Sequence, residues 1–117
     1  MAKIQVEGGQ VSIHLSFAEK IGALHGDLRF SVSAVRAVRV VDKPFREIEG
    51  IRSPGTGVPG VIALGTYRTC QRRDFVAVYL GQRGVVIDIG ADNTKYRRVI
   101  LSTQDPGRVA GMLASAR

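Results

Sequence analysis

Four short runs between Val61 and Ser102 limit what this chain can become. They read Val-Ile-Ala-Leu-Gly-Thr-Tyr-Arg-Thr, Asp-Phe-Val-Ala-Val-Tyr-Leu, Gly-Val-Val-Ile-Asp-Ile-Gly and Tyr-Arg-Arg-Val-Ile-Leu-Ser. Each is rich in β-branched or aromatic residues. Each is bounded by Gly, Asp, Asn or paired Arg, the pattern of strands joined by tight turns. We read them as an antiparallel meander of four strands inside a compact, mainly β domain.

The alternation continues upstream. Val11, Ile13 and Leu15 alternate with Ser12, His14 and Ser16, the period of a half-buried strand with His14 on its outer face. Lys3 to Glu7 reads either as a preceding strand or as a loose end, with Gly8-Gly9 as the break. Ser16 followed three residues later by Glu19 matches a capping box. It predicts a short helix near residues 17-23, with Phe17, Ile21 and Leu24 on one face. Leu28, Phe30 and Val32 alternate as a further strand. Between Val35 and Val38 the parity slips, as a bulge in one strand from Ser33 to Val41 would make it. Asp42-Lys43-Pro44 ends that strand, because proline cannot donate to a ladder. Phe45 to Arg52 reads equally as a helical turn or a short strand. Ser53 to Gly60 holds three Gly and two Pro in eight residues and predicts a loop. Asp105 and Pro106 are cap and first-position residues for a terminal helix with Val109, Met112 and Leu113 on one face.

Composition bears mainly on partners. A chain of 117 residues with 44% hydrophobic residues fits one domain, 1-117, with a real core. Thirteen Arg and four Lys against ten acidic residues give a net charge of +7. That excess favours an anionic partner: nucleic acid, an acidic membrane surface or an acidic protein. Cys70 is the single cysteine, which excludes an internal disulfide and a cysteine-based zinc site. The first residues lack the apolar run of a signal peptide, and no stretch approaches the ~20 apolar residues of a membrane helix. The expected location is cytoplasmic.

Sites of chemistry are sparse. Gly55-Thr56-Gly57-Val58-Pro59-Gly60 lacks the Gly-Lys-Ser/Thr ending and the following helix of a phosphate loop, so no nucleotide is expected there. His14 and His25 could pair with Asp27 around a metal, but a solvated histidine is the commoner case; the expectation is no metal and no cofactor. Cys70, with Arg68, Arg72 and Arg73 beside it, could serve as a nucleophile. Asp74 and Asp88 read as strand-edge and outer-face positions. The arginines are the most suggestive set. Arg68, Arg72 and Arg73 gather at one hairpin end, and Arg97 and Arg98 open the last strand. Sharing a face, they would form an anion- or partner-binding patch, since guanidinium forks match phosphate and carboxylate. Otherwise they protect strand edges. Nucleic acid is disfavoured, because stacking aromatics are few: no Trp, three Tyr and four Phe.

The order of elements, with Ala23-Leu24-His25-Gly26-Asp27-Leu28-Arg29, Pro54 to Thr66, Asp74-Phe75-Val76-Ala77-Val78-Tyr79 and Asp105-Pro106, resembles the bacterial pleckstrin-homology-like (PH-like) domains, in particular a group of small bacterial proteins. The resemblance implies a PH-like barrel of two near-orthogonal antiparallel sheets capped by a C-terminal α-helix. It also implies a binding module and no enzyme. Phosphoinositide-binding relatives carry a basic loop between their first strands, where Phe17 to Phe30 offers only Lys20, His25 and Arg29. The expected function is therefore non-catalytic protein–protein interaction or self-association, with strand addition as one mode. Peripheral binding to anionic lipid or another polyanion through the arginines is the first alternative. A small enzyme using Cys70 or His25 is the second.

Overall fold

The computed structural model describes residues 1–23, 25–58, 60–90 and 95–116, except the side chains of residues 53 and 54. Its strands are β1 (Lys3–Glu7), β2 (Gln10–His14), β3 (Leu28–Ser31), β4 (Val35–Val41), β5 (Ile51–Val58), β6 (Ile62–Arg68), β7 (Arg73–Tyr79), β8 (Gly84–Ile89) and β9 (Arg98–Ser102). Its helices are α1 (Phe17–Ala23) and α2 (Pro106–Ala116). Single 3-10 turns occupy Val32–Ala34 and Pro44–Glu47. The fold is mainly β, in two sheets, with a helix at its C-terminal end.

Lys3 to Glu7 is a strand. Gly8 and Gly9 form the two-residue turn to β2, with φ of 58° and 76°, the left-handed pair that this kind of hairpin needs. Strands β1, β2 and β3 make a three-stranded sheet in that order. The capping box closes as the sequence predicts. Ser16 Oγ accepts from the Glu19 amide at 3.1 Å, and Glu19 Oε1 accepts from the Ser16 amide at 2.8 Å. The face expected to be apolar is turned outward, however. Phe17 is 79% exposed and Ile21 also faces solvent, while Leu24 lies outside the described residues. The helix instead buries Glu19 and Ala23. Glu19 can be buried because its second oxygen accepts the Tyr79 hydroxyl at 2.6 Å.

The second sheet has six strands in the order β4-β8-β9-β7-β6-β5. This corrects the four-strand meander. Strands β6 and β7 pair antiparallel, as do β8 and β9, but β9 inserts between β8 and β7 and runs parallel to β7. The sheet is mixed, and the expectation of purely antiparallel sheets fails at this pair. The unbroken apolar runs explain the insertion. Val85, Val86 and Ile87 in β8 and Val99, Ile100 and Leu101 in β9 are all fully buried. Strands covered on both faces belong in the middle of a sheet. The parity slip is found as a register shift between Val35 and Ala37 of β4.

The predicted loop Ser53 to Gly60 is also corrected. Residues 51–58 are strand β5, paired with β6, while Pro59 lies outside the described residues. An edge strand can absorb both the proline and the glycines. The register shifts between Arg52 and Gly55, and Gly55 takes φ 150°. A Cβ at Gly55 would collide with the Leu64 carbonyl oxygen across the pair. Gly55→Ala is expected to lower stability by about 1–3 kcal/mol through that strain, read as a shift in the urea midpoint.

One face of the six-stranded sheet shares a core with the small sheet and both helices. Phe75, Val85, Ile87, Val99 and Leu101 meet Val11, Ile13, Leu28 and Phe30 there, closed by Val109 and Leu113 of α2. The opposite face has a smaller core of Ala63, Tyr67, Val76, Val78, Val86 and Ile100, covered by Val41, Phe45 and Ile48.

Candidate functional site

The five arginines singled out from sequence do not share a face. Side chains alternate along a strand, so two consecutive arginines must diverge. Arg68 lies opposite Arg73 in the β6–β7 register. The Arg97 amide donates to the Arg73 carbonyl at 2.9 Å, which continues the row to the residue just before β9. Arg68, Arg73 and Arg97 thus stand side by side at one end of the sheet. Together with Lys95 they line a cleft of about 400 Å³. Arg72 borders the same cleft, but its guanidinium is committed elsewhere.

Arg72 and Arg98 serve the other face. Arg72 Nε donates to Asp74 Oδ1 at 2.9 Å, and its Nη2 lies 3.2 Å from Glu49 Oε1. Arg98 Nε donates to Asp88 Oδ1 at 3.0 Å, and its Nη1 lies 3.6 Å from the same Glu49 oxygen. Glu49 therefore bridges two strands and anchors the segment that covers the smaller core. Asp74 was expected at a strand edge; it is 0% exposed. Burial pushes its carboxyl above the ordinary value of 3.8 against the pull of Arg72 and Arg98. The Arg72 guanidinium is held above its own ordinary value, chiefly by its hydrogen bond to Asp74. The two directions agree once exposure is considered. The arginine is only partly desolvated and gains from the pair, whereas the carboxylate loses its water entirely.

The histidines and Cys70 have separate surroundings. His14 Nδ1 lies 3.2 Å from Asp27 Oδ2, and Lys20 Nζ lies 3.7 Å from Oδ1. Asp27 also accepts the Leu15 amide at 2.8 Å, and that bond, above all, lowers its carboxyl below the ordinary range. The group is a brace between the end of β2 and the start of β3. His25 sits apart, edge-on to Phe75 and Tyr96 at 5.5 and 5.6 Å between ring centres. Cys70 is exposed in the β6–β7 turn. Among the described residues no three His, Cys, Asp or Glu side chains gather as a metal site. Nor is any helix among the described residues long and apolar enough to cross a membrane.

One recess was not legible from side chains at all. A groove of about 710 Å³ follows β1 along its whole length, with α2 as its other wall. Its apolar lining comes from Ala2, Ile4, Val6, Val109 and Met112. Among the described residues, strand β1 pairs only with β2. In a hairpin with a two-residue turn the flanking residues form a hydrogen-bonded pair. Glu7, Gln5 and Lys3 therefore carry the ladder to Gln10, Ser12 and His14. The N–H and C=O groups of Ile4 and Val6 point the other way, into the groove.

No family model, no curated protein and no solved structure matches this chain.

Proposed function

We propose that this protein is a non-catalytic binding module that takes an extended peptide segment as an added strand on β1. The observation that carries the reading is the open β1 edge facing the groove of about 710 Å³ walled by α2. An added strand would hydrogen-bond to Ile4 and Val6 and lay alternate side chains against the half-exposed Met112. Main-chain bonds give such sites affinity, and the apolar wall gives them selectivity. The PH-like reading of the fold belongs with this proposal. Two sheets and a helix at the C-terminal end support it, while the parallel β7–β9 pair departs from it.

Peptides selected from a random extended library supply the probe, and amide hydrogen exchange supplies the readout. The Ile4 and Val6 amides are expected to exchange quickly in the free protein and to gain protection of tenfold or more on binding. Val6→Pro removes one groove-facing donor at a position where an edge strand tolerates proline. Relative to Val6→Ala, which gives up the same packing against the core but keeps the amide, it is expected to weaken binding by about tenfold, the loss of one hydrogen bond. Equal affinity in the two variants sinks the proposal. Protection that rises with protein concentration alone would assign the edge to a second copy of the chain.

A further inference from the structure

We infer that the Arg68–Arg73–Arg97 row, with Lys95, is a binding site for a ligand carrying two or more linked phosphate groups. The row and the β1 groove involve different residues, so neither reading depends on the other. Adjacent strands lie about 4.8 Å apart, so three guanidiniums in a row span about 10 Å. A single phosphate is shorter than that; a chain of linked phosphates matches it. Like charges directly opposite one another on a sheet are destabilising, and an anion laid along the row relieves this. Guanidinium forks suit phosphate oxygens in particular. No carboxylate lines the cleft among the described residues, and Thr69 and Gln71 add polar groups to its wall. Its volume of about 400 Å³ is that of a small-ligand site. Arg68 and Arg97 have further partners within the chain. The case therefore rests on where they stand and on Arg73 and Lys95, which form no ion pair among the described residues.

Calorimetric titration at about 0.15 M salt, where exposed charges beyond ~8 Å are screened, tests the site with tripolyphosphate and with orthophosphate. Saturable binding of tripolyphosphate, at least tenfold tighter than orthophosphate, is expected. Arg73→Gln and Lys95→Gln should each weaken it by fivefold or more. Arg29→Gln, an equal charge change on β3, should leave it within twofold. Unfolding midpoints of all three variants confirm that they fold. Lys95 is exposed, so its variant keeps the test valid should Arg73→Gln unfold. No saturable binding, or an equal loss in Arg29→Gln, overturns the inference. Co-sedimentation with vesicles containing diacylglycerol pyrophosphate, whose headgroup carries two linked phosphates, separates a lipid headgroup from a dissolved ligand. Vesicle binding displaced by tripolyphosphate places a headgroup in this site. Tripolyphosphate binding without vesicle binding places a dissolved ligand there. Vesicle binding unaffected by tripolyphosphate and by Arg73→Gln overturns the assignment.

Discussion

Phe75→Ala is expected to lower stability by about 3–5 kcal/mol, the usual loss for a fully buried phenylalanine. Phe75 is 0% exposed, and its ring meets both Tyr96, at 5.6 Å between centres, and His25 edge-on. The cavity has little freedom to collapse. Phe75 lies between Thr66 on β6 and Val99 on β9, both held in register by ladders. Tyr96 is fixed as well, because its hydroxyl and that of Thr66 share a hydrogen bond of 2.6 Å. Phe75→Leu keeps most of the volume and should cost about 1.5 kcal/mol or less beyond the lost ring contacts. Urea unfolding followed by fluorescence and by circular dichroism measures both. A loss under about 1 kcal/mol for the alanine variant would mean that the two sheets do not meet at this residue.

How much of this was legible follows from what each signal measures. Alternation and capping are local, so the strands, the capping box of Ser16 and Glu19 and the Asp105-Pro106 helix start could be read directly. Asp105 Oδ1 indeed accepts the Arg108 amide at 3.2 Å. Strand order is not local, and the insertion of β9 between β7 and β8 left only one trace, the unbroken apolar runs of both strands. Strand β5 was hidden because proline and glycine signal a loop unless the strand is known to be an edge. The division of the arginines was within reach. Arg72-Arg73 and Arg97-Arg98 are adjacent pairs, and period two sends the members of each pair to opposite faces. The burial of Asp74 also had a trace, since Val76 and Val78 continue its face with no polar residue. Glu49 gave none; nothing in its neighbourhood announces a bridge to two strands. The β1 groove was invisible, because what defines it is backbone left unpaired.

Asp74→Leu alone is expected to cost about 3–5 kcal/mol, because it leaves the Arg72 guanidinium largely buried without its principal partner. Arg72 is 22% exposed and can still reach Glu49, which places the loss toward the lower end. Asp74→Leu combined with Arg72→Met should recover most of it. Burial raises the Asp74 carboxyl despite two nearby arginines, so desolvation outweighs the attraction at that group. A double-mutant cycle reads the coupling. The same shift sets the pH dependence. A carboxyl whose pKa is higher in the folded protein than unfolded holds its proton longer when folded. Its contribution is complete below about 3.8 and declines as pH rises through the raised folded value. Relative to the double variant, the wild-type protein should therefore lose stability as pH climbs through that window. Asp27 acts with the opposite sign: its lowered pKa gives stability that is present above 3.8 and lost as pH falls through its folded value. Both variants retain Asp27, so its effect cancels in the difference. A difference that instead grows in favour of the wild type as pH rises above 3.8 would show that Arg72 and Arg98 outweigh burial at Asp74. In that case the double variant would stay as unstable as Asp74→Leu alone.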